Sequence, residues 1–286
     1  MARVAIVTGA NKGIGFAIVK GLYQQFDGVV YLTARNENLG QEALKLVESE
    51  VPPNSKRCKD LRYHQLDITN DESVRRLKEH IVKEHGGLDV LINNAGFAYK
   101  MTATEPFAEQ AANTVAINYT GTKRVCDALF PILKAHARVV NISSTAGLFR
   151  QMKDQKLIQK LVSPDLTAAD VDSMLNDFVK YAKEGTHTNH GFSNSAYGMS
   201  KIGLTALSMV QQRQLEKQGP EDVIVNACCP GYVNTDMSSH KGPLTPEQGA
   251  ETPLYLALLP NNIKEPRGKF VYKKRISDPI TGEPVS

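Results

Sequence analysis

Tyr197 and Lys201 stand four positions apart in Ser195-Ala-Tyr-Gly-Met-Ser-Lys201, a spacing that on a helix puts both side chains on one face. A free phenol titrates near pH ~10 and exchanges protons poorly at neutrality. An ammonium held beside it favours the phenolate, so Lys201 is expected to pull the Tyr197 pKa down toward the range of a working acid or base. Such a pair can give a proton to a carbonyl oxygen or take one from an alcohol. Tyr-x-x-x-Lys is common by chance, and its meaning depends on what else the chain carries.

A glycine-rich turn lies near the start. Arg3 to Thr8 reads as a buried strand, Gly9-Ala-Asn-Lys-Gly13-Ile-Gly15 follows at once, and Phe16 to Leu22 has helical periodicity. The spacing G-x-x-x-G-x-G differs from the G-x-G-x-x-G dinucleotide fingerprint, but the physics is shared. Small residues let the backbone approach a pyrophosphate, and N–H groups at the helix start meet its charge. A second strand, Val29 to Ala34, ends at Arg35, twenty positions after Gly15. An Asp or Glu there would hold a ribose 2′-hydroxyl, whereas an arginine suits a 2′-phosphate. Arg35, with Lys12 as a second cation, therefore points to NADP(H); Glu37 nearby is the residue that could serve a plain ribose instead.

The rest of the chain supplies the elements that would carry these groups. Leu39 to Glu50 reads as a helix, Leu61 to Asp67 as a strand, and Asn70 starts a helix ending near Gly86. Asp67 could meet an adenine amino group. Leu88 opens a fourth strand running into Asn93-Asn-Ala-Gly96. An apolar helical pattern then runs through Ala111 to Ile132 across Asn118, whose amide prefers competing hydrogen bonds and invites a local break that could hold a water. Arg138 to Ser144 reads as a fifth strand, and Ser144 at its end could donate a hydrogen bond to a carbonyl oxygen. Glu247 to Leu259 is helical and Gly268 to Tyr272 a last strand. This alternation implies an α/β fold, a doubly wound parallel sheet of Rossmann type, with ligands at the carboxyl ends of the strands. Residues 1–286 read as a single domain. The polar loop 236–246 could close over substrate, and the tail 273–286, with Pro279 and Pro284, is expected on the surface or mobile.

Composition narrows the partners. The chain has 286 residues, 41% hydrophobic and 22% charged, and its net charge of +4 comes with no long basic run. That argues against nucleic acid and fits an anionic small ligand. The four cysteines, Cys58, Cys126, Cys228 and Cys229, show no metal-ligand spacing, and a bridge between adjacent Cys228 and Cys229 would be strained. Reduced thiols and a cytoplasmic location follow, with no metal expected. No apolar run reaches a membrane span, and Val4 to Val7 begins without a signal-peptide layout. Cys229, beside Pro230-Gly231, reads either as a modifiable thiol at the pocket or, more commonly for free cysteine, as a small buried apolar group.

Taken in order, Thr8-Gly-x-x-x-Gly-x-Gly15, Asn93-Asn-Ala-Gly96, Ser144, Tyr197-x-x-x-Lys201 and Pro230-Gly231 resemble the short-chain dehydrogenase/reductase family over nearly the whole chain. Asn11-Lys-Gly-Ile-Gly15, Asn226-Ala-Cys-Cys-Pro-Gly231 and the long segment before the tyrosine resemble the animal carbonyl reductases within it. The resemblance implies Tyr197 as proton donor, Lys201 as the group that lowers its pKa and binds the nicotinamide ribose, Ser144 as carbonyl polariser and Asn118 as holder of a proton-feeding water. It implies that Gly9, Asn11, Lys12, Gly13, Ile14 and Gly15 line the pyrophosphate and 2′-phosphate with help from Arg35. Asp67, Ile68 and Asn94 would flank the adenosine, and Pro230, Gly231, Val233 and Thr235 would orient the carboxamide. A glutathione-binding groove in vertebrate relatives corresponds to Tyr99, Lys100, Met101 and Gln110. Relatives commonly carry a tryptophan in the Pro-Gly region, where this chain has Tyr232 and no Trp anywhere.

The implied activity is NADPH-dependent reduction of ketones, aldehydes or quinones, glutathione adducts among them. Two other readings use the same residues: a hydroxysteroid or prostaglandin dehydrogenase, and a non-catalytic NADP(H)-binding sensor. The joint presence of Ser144, Tyr197, Lys201 and Asn118 argues against the sensor. A helical insertion at 148–191 separates Ser144 from Tyr197. Within it Thr167-Ala-Ala-Asp170 matches a capping box, Val171, Met174, Leu175, Phe178 and Ala182 recur at helical spacing, and Gly185 can end the helix. Such an amphipathic helix needs an apolar surface. The family resemblance implies a tyrosine helix that commonly packs on its counterpart in a second subunit, so covering the outer face of that helix or its neighbour would remove the dimer face and leave a monomer; an insertion that packs elsewhere or walls the substrate site would leave oligomerisation intact.

Overall fold

A computed structural model of the chain describes residues 2–55, 57–100 and 102–285. Strands β1 (Arg3–Val7), β2 (Gly28–Ala34), β3 (Asp60–Gln65), β4 (Leu88–Asn93), β5 (Leu133–Ile142), β6 (Ile224–Cys229), β7 (Phe270–Tyr272) and β8 (Arg275–Ser277) form one sheet. Their order is β3-β2-β1-β4-β5-β6-β7-β8; all neighbours pair parallel except β7 and β8. The order reverses between β1 and β4, which opens a crevice above their carboxyl ends.

Helices cover both faces, so the central strands are apolar on both sides: β2 is buried at every position and β1 at four of its five. On one face α1 (Gly13–Gln25), α2 (Glu37–Glu50) and α9 (Pro246–Ala257) close a core around Ile18, Leu22, Val30 and Leu256. On the other, α3 (Asp71–His85) and α5 (Thr122–Leu129) pack Leu77, Ile81, Val125 and Leu129 onto Ile6, Leu91 and Val139. Among the described residues no helix is long and apolar enough to cross a membrane.

The helical run through Asn118 is broken as expected. Helix α4 (Phe107–Val115) passes into a π-helical turn, Ala116–Gly121, before α5 begins. The turn after α5 reaches Ile132, and β5 starts at Leu133 rather than Arg138, because Leu88 pairs with Leu133 before a register shift. It stops at Ile142, which leaves Ser144 beyond the strand end.

Two helices fill the segment between Ser144 and Tyr197. Helix α6 (Gln155–Val162), capped by Asp154, has no counterpart in the sequence reading. Helix α7 (Ala168–Lys183) carries the expected capping box, with the Asp170 carboxylate accepting from Thr167 N at 3.0 Å, and Gly185 follows with φ +71°. Its buried face, Val171, Met174, Leu175, Phe178 and Ala182, packs on α4 and on α8 (Ala196–Gln218), the tyrosine helix. The helices come close: a methyl at Gly203 would stand 2.5 Å from Leu175 Cδ1.

The tail lies largely at the surface, as expected, but it is more regular than its sequence suggests. Arg275–Ser277 adds strand β8, and the chain then turns back so that Pro279 O and Ile280 O accept from Phe149 N at 2.9 Å and Arg150 N at 3.2 Å. Backbone pairing, which a polar sequence does not advertise, anchors it.

Candidate active site

Ser144 caps the short turn Thr145–Gly147, its Oγ accepting from Ala146 N at 3.1 Å. That turn lies directly on α8: a methyl at Gly147 would meet the Lys201 carbonyl carbon and Cβ, each at 2.6 Å. Ser143 fastens the same junction, donating to Lys201 O at 3.1 Å and accepting from Thr205 Oγ1 at 2.6 Å. Ser195 begins α8 by accepting from Gly198 N at 3.0 Å, which puts Tyr197 and Lys201 on the first two turns.

The π-helical turn aims Asn118 inward. Its Oδ1 accepts from Phe97 N at 2.7 Å, and its Nδ2 donates to Phe97 O at 2.8 Å and Ser200 Oγ at 3.0 Å. Ser200 Oγ in turn donates to Tyr197 O at 2.7 Å. A carbon on Gly96 would stand 3.4 Å from Asn118 Oδ1 and 3.7 Å from Lys201 Nζ, so amide and ammonium border one small space.

Lys201 is 4% exposed and donates to Ile142 O at 2.6 Å; its Nζ lies 5.5 Å from the centroid of the Tyr197 ring. Burial lowers the ammonium to about 8. The expected depression of Tyr197 is absent: burial around the hydroxyl pushes the phenol up to about 12, and the interaction with Ser144 only moderates this. Desolvation outweighs the lysine, whose charge is directed at the Ile142 carbonyl. At neutrality the pair is therefore a phenol holding its proton beside an ammonium.

A cleft of about 540 Å³ runs along the glycine turn and is lined by Arg35, Asp67, Ile68, Asn94 and Thr235 among others. Gly9 has φ +61°, and a methyl there would come 2.7 Å from Ala95 Cα, so only glycine allows this turn. Helix α1 begins with no side-chain cap and no acidic residue in its first turn, leaving its N–H donors available to an anion. Asn11, Gly13, Ile14 and Gly15 line the same wall. Arg35 follows β2 as an exposed residue, and among the described residues no ion pair engages it. These features fit a dinucleotide carrying an extra phosphate.

Other predicted residues are engaged within the protein. Lys12 Nζ pairs with Asp236 Oδ2 at 2.6 Å, where a cation free for a phosphate was expected. Asn94 Nδ2 donates to Thr8 O and Gly9 O at 2.9 Å each, so its amide braces the glycine turn. The Asp67 carboxylate accepts from Thr69 N at 2.9 Å and Thr69 Oγ1 at 2.6 Å. Beyond β6, Pro230 and Gly231 lead into a stretch pinned by Leu244 N to Tyr232 O at 3.2 Å and Asn234 N to Leu244 O at 2.8 Å, with Val233 buried between. Cys229 is 2% exposed and free, which supports the buried-thiol alternative.

Of the residues expected to meet substrate, Tyr99 packs its ring against Phe97 at 4.8 Å and accepts at its hydroxyl from Asn113 at 2.7 Å. Lys100 is exposed, and Gln110 donates to Glu105 O at 2.8 Å. Met101 lies outside the described residues. Tyr232 is 55% exposed. Thr8, Phe97 and Ser200 were not assigned from sequence. Thr8 Oγ1 accepts from Asn94 N at 3.0 Å and Ala95 N at 2.9 Å, and a hydroxyl closing an apolar strand was the available signal.

A model of the short chain dehydrogenase family matches residues 3–155 and 185–244, passing over most of α6 and α7. The chain is 47% identical over 277 residues to carbonyl reductase (NADPH) 1 of Rattus norvegicus, covering 96% of this chain and 97% of that protein. The Homo sapiens protein of the same name is 46% identical over 278 residues, covering 96% and 97%. Among solved structures, salutaridine reductase from Papaver somniferum superposes with a TM-score of 0.82 at 30% identity, covering 95% of this chain and 99% of that one.

Proposed function

The chain belongs to the short-chain dehydrogenase/reductase family, and from that premise we propose that it reduces carbonyl compounds to alcohols with NADPH. The observation that carries the reading is that Tyr197 is hydrogen-bonded to Ser144 and has Lys201 Nζ 5.5 Å from its ring centroid, while Lys201 and Asn118 border one small space at Gly96, a residue that also lines the dinucleotide-sized cleft. Reduced nicotinamide, when bound, supplies the hydride that reaches the carbonyl carbon. The α1 N-terminus takes the pyrophosphate and Arg35 the 2′-phosphate. Pro230, Gly231, Val233 and Thr235 border the carboxamide; Asp67, Ile68 and Asn94 border the adenosine.

The protein's own groups manage the oxygen. Ser144 Oγ donates a hydrogen bond to the carbonyl, and Tyr197 gives that oxygen its proton. A phenol raised to about 12 keeps this proton across the physiological range, so the group that meets the carbonyl is the protonated one. Lys201 lends positive charge as the proton leaves, and Asn118, fixed at Phe97, lines the route by which a proton returns. Substrates are ketones, aldehydes and quinones, with glutathione adducts admitted alongside Tyr99, Lys100 and Gln110. We read the protein as a cytoplasmic monomer: Cys126, Cys228 and Cys229 are buried thiols outside any disulfide, and α7 occupies the faces of α4 and α8.

Mixing the protein with NADPH and a panel of quinones, ketones and aldehydes tests this. Substrate-dependent loss of nicotinamide absorbance is expected, falling ~10²–10⁴-fold in Tyr197→Phe while NADPH still binds. No turnover across the panel would refute it.

A further inference from the structure

Lys12 and Arg35 both line the nucleotide cleft, yet their surroundings differ. No described residue forms an ion pair with Arg35. Lys12, the residue preceding α1, reaches across the cleft mouth to Asp236, its Nζ 2.6 Å from Oδ2. The other carboxylate oxygen is also engaged, 3.0 Å from His240 Nε2, and His240 Nδ1 stands 2.9 Å from Asn234 Oδ1. The two loops approach at their backbones as well, since a methyl on Gly13 would lie 3.3 Å from Thr235 Cγ2. Asp236 thus bears its charge at the cleft mouth, on the one cation of the glycine turn.

A phosphate that recruits Lys12 has to share or displace that carboxylate, and its own charge is repelled by it. A ribose hydroxyl at the same place meets neither difficulty. We propose that Asp236 is a cofactor-selectivity residue whose carboxylate competes with the 2′-phosphate for Lys12, holding the preference for NADPH below what Arg35 and Lys12 alone would set. The proposal rests on the reading that Lys12 serves the 2′-phosphate. It assigns the two cations unequal parts: Arg35 receives the phosphate unopposed, whereas Lys12 first leaves a partner. The Lys12–Asp236 pair is solvent-exposed on both sides, and exposed pairs shift an equilibrium by about fivefold at most.

Nicotinamide fluorescence at fixed, low ionic strength gives Kd for NADPH and NADH in the parent protein, Asp236→Asn, Lys12→Ala and the double variant. Asp236→Asn, which keeps the side chain's size and its contact with His240, should tighten NADPH by about two- to fivefold and NADH by less. The NADH-to-NADPH Kd ratio therefore rises. On the Lys12→Ala background the same change should raise that ratio less, because only the direct repulsion of the phosphate is then relieved; an equal rise on both backgrounds would mean that Asp236 does not act through Lys12. An unchanged or lowered ratio in Asp236→Asn overturns the proposal, a lowered one meaning that the carboxylate steers Lys12 onto the phosphate. If Lys12→Ala lowers the ratio but Asp236→Asn fails to raise it, the assignment of Asp236 falls and the cofactor reading stands. If Lys12→Ala leaves the ratio unmoved, Lys12 does not serve the phosphate and the assignment of Asp236 falls with it, while the NADPH reading then stands or falls on Arg35→Ala.

Discussion

Replacing Gly147 by alanine probes the closest contact in the site. The added methyl would lie 2.6 Å from the Lys201 carbonyl carbon, 2.6 Å from Lys201 Cβ and 2.9 Å from Ile202 N, all fixed in a buried helix. Restoring a 3.4 Å contact requires the Thr145–Gly147 turn and α8 to part by about 0.8 Å. Ser144 travels with the turn and Tyr197 with the helix, so the groups that act on one oxygen are pulled apart. Overpacking of this kind costs ~1–3 kcal/mol of stability, and a misplacement near 1 Å costs ~10²-fold in rate. Steady-state assays with a quinone should show kcat down by about two decades, while NADPH affinity, governed mainly by the glycine turn and Arg35, stays near the parent value. A lower Tm should accompany the change. A folded variant retaining kcat within threefold would show that the Ser144–Tyr197 separation is not what this contact sets.

Three further outcomes follow from the same structure. Arg35→Ala should weaken NADPH about tenfold or more, since a charged hydrogen bond contributes ~1.5–3 kcal/mol, and leave NADH nearly unchanged; equal weakening of both would make Arg35 structural. With Lys201 lowered to about 8 and its charged form required, kcat/KM for reduction should be level near neutrality and fall above pH 8, and a flat profile to pH 10 would contradict that role. Tyr31 Oη lies 2.9 Å from both His80 Nε2 and His85 Nε2, and burial lowers the pKa of both histidines and of His64 below 6.5. The unfolded chain then binds protons first as pH falls, so Tm should drop below pH 6.5, less steeply in His80→Gln.

What the sequence made legible was local. Period and turn chemistry marked the strands up to Asn93, the glycine turn and the α7 capping box, because each depends on neighbours within a few positions. Asn118 was legible as a misfit in a helical run, and the π-helical turn sits there. Strand β8 was not: three residues in a polar tail become a strand only through pairing with Phe270–Tyr272. The Tyr197 shift went the other way because spacing reveals the lysine but not how much water the phenol loses. Lys12 and Asp236 are 224 positions apart, and no local pattern joins them.

The π-helical turn at Ala116–Gly121 has a consequence for how this sequence can change. A π turn holds one residue more than the α-helical path it replaces, so the side chains before and after it stand in different angular frames. Losing a single residue there would let α4 and α5 merge into one regular helix, with a better-satisfied backbone and Asn118 swung away from Phe97 and Ser200. Substitutions elsewhere in these helices can be absorbed by repacking. At this spot the length of the chain itself is under constraint, and a shorter variant would exchange chemistry for regularity.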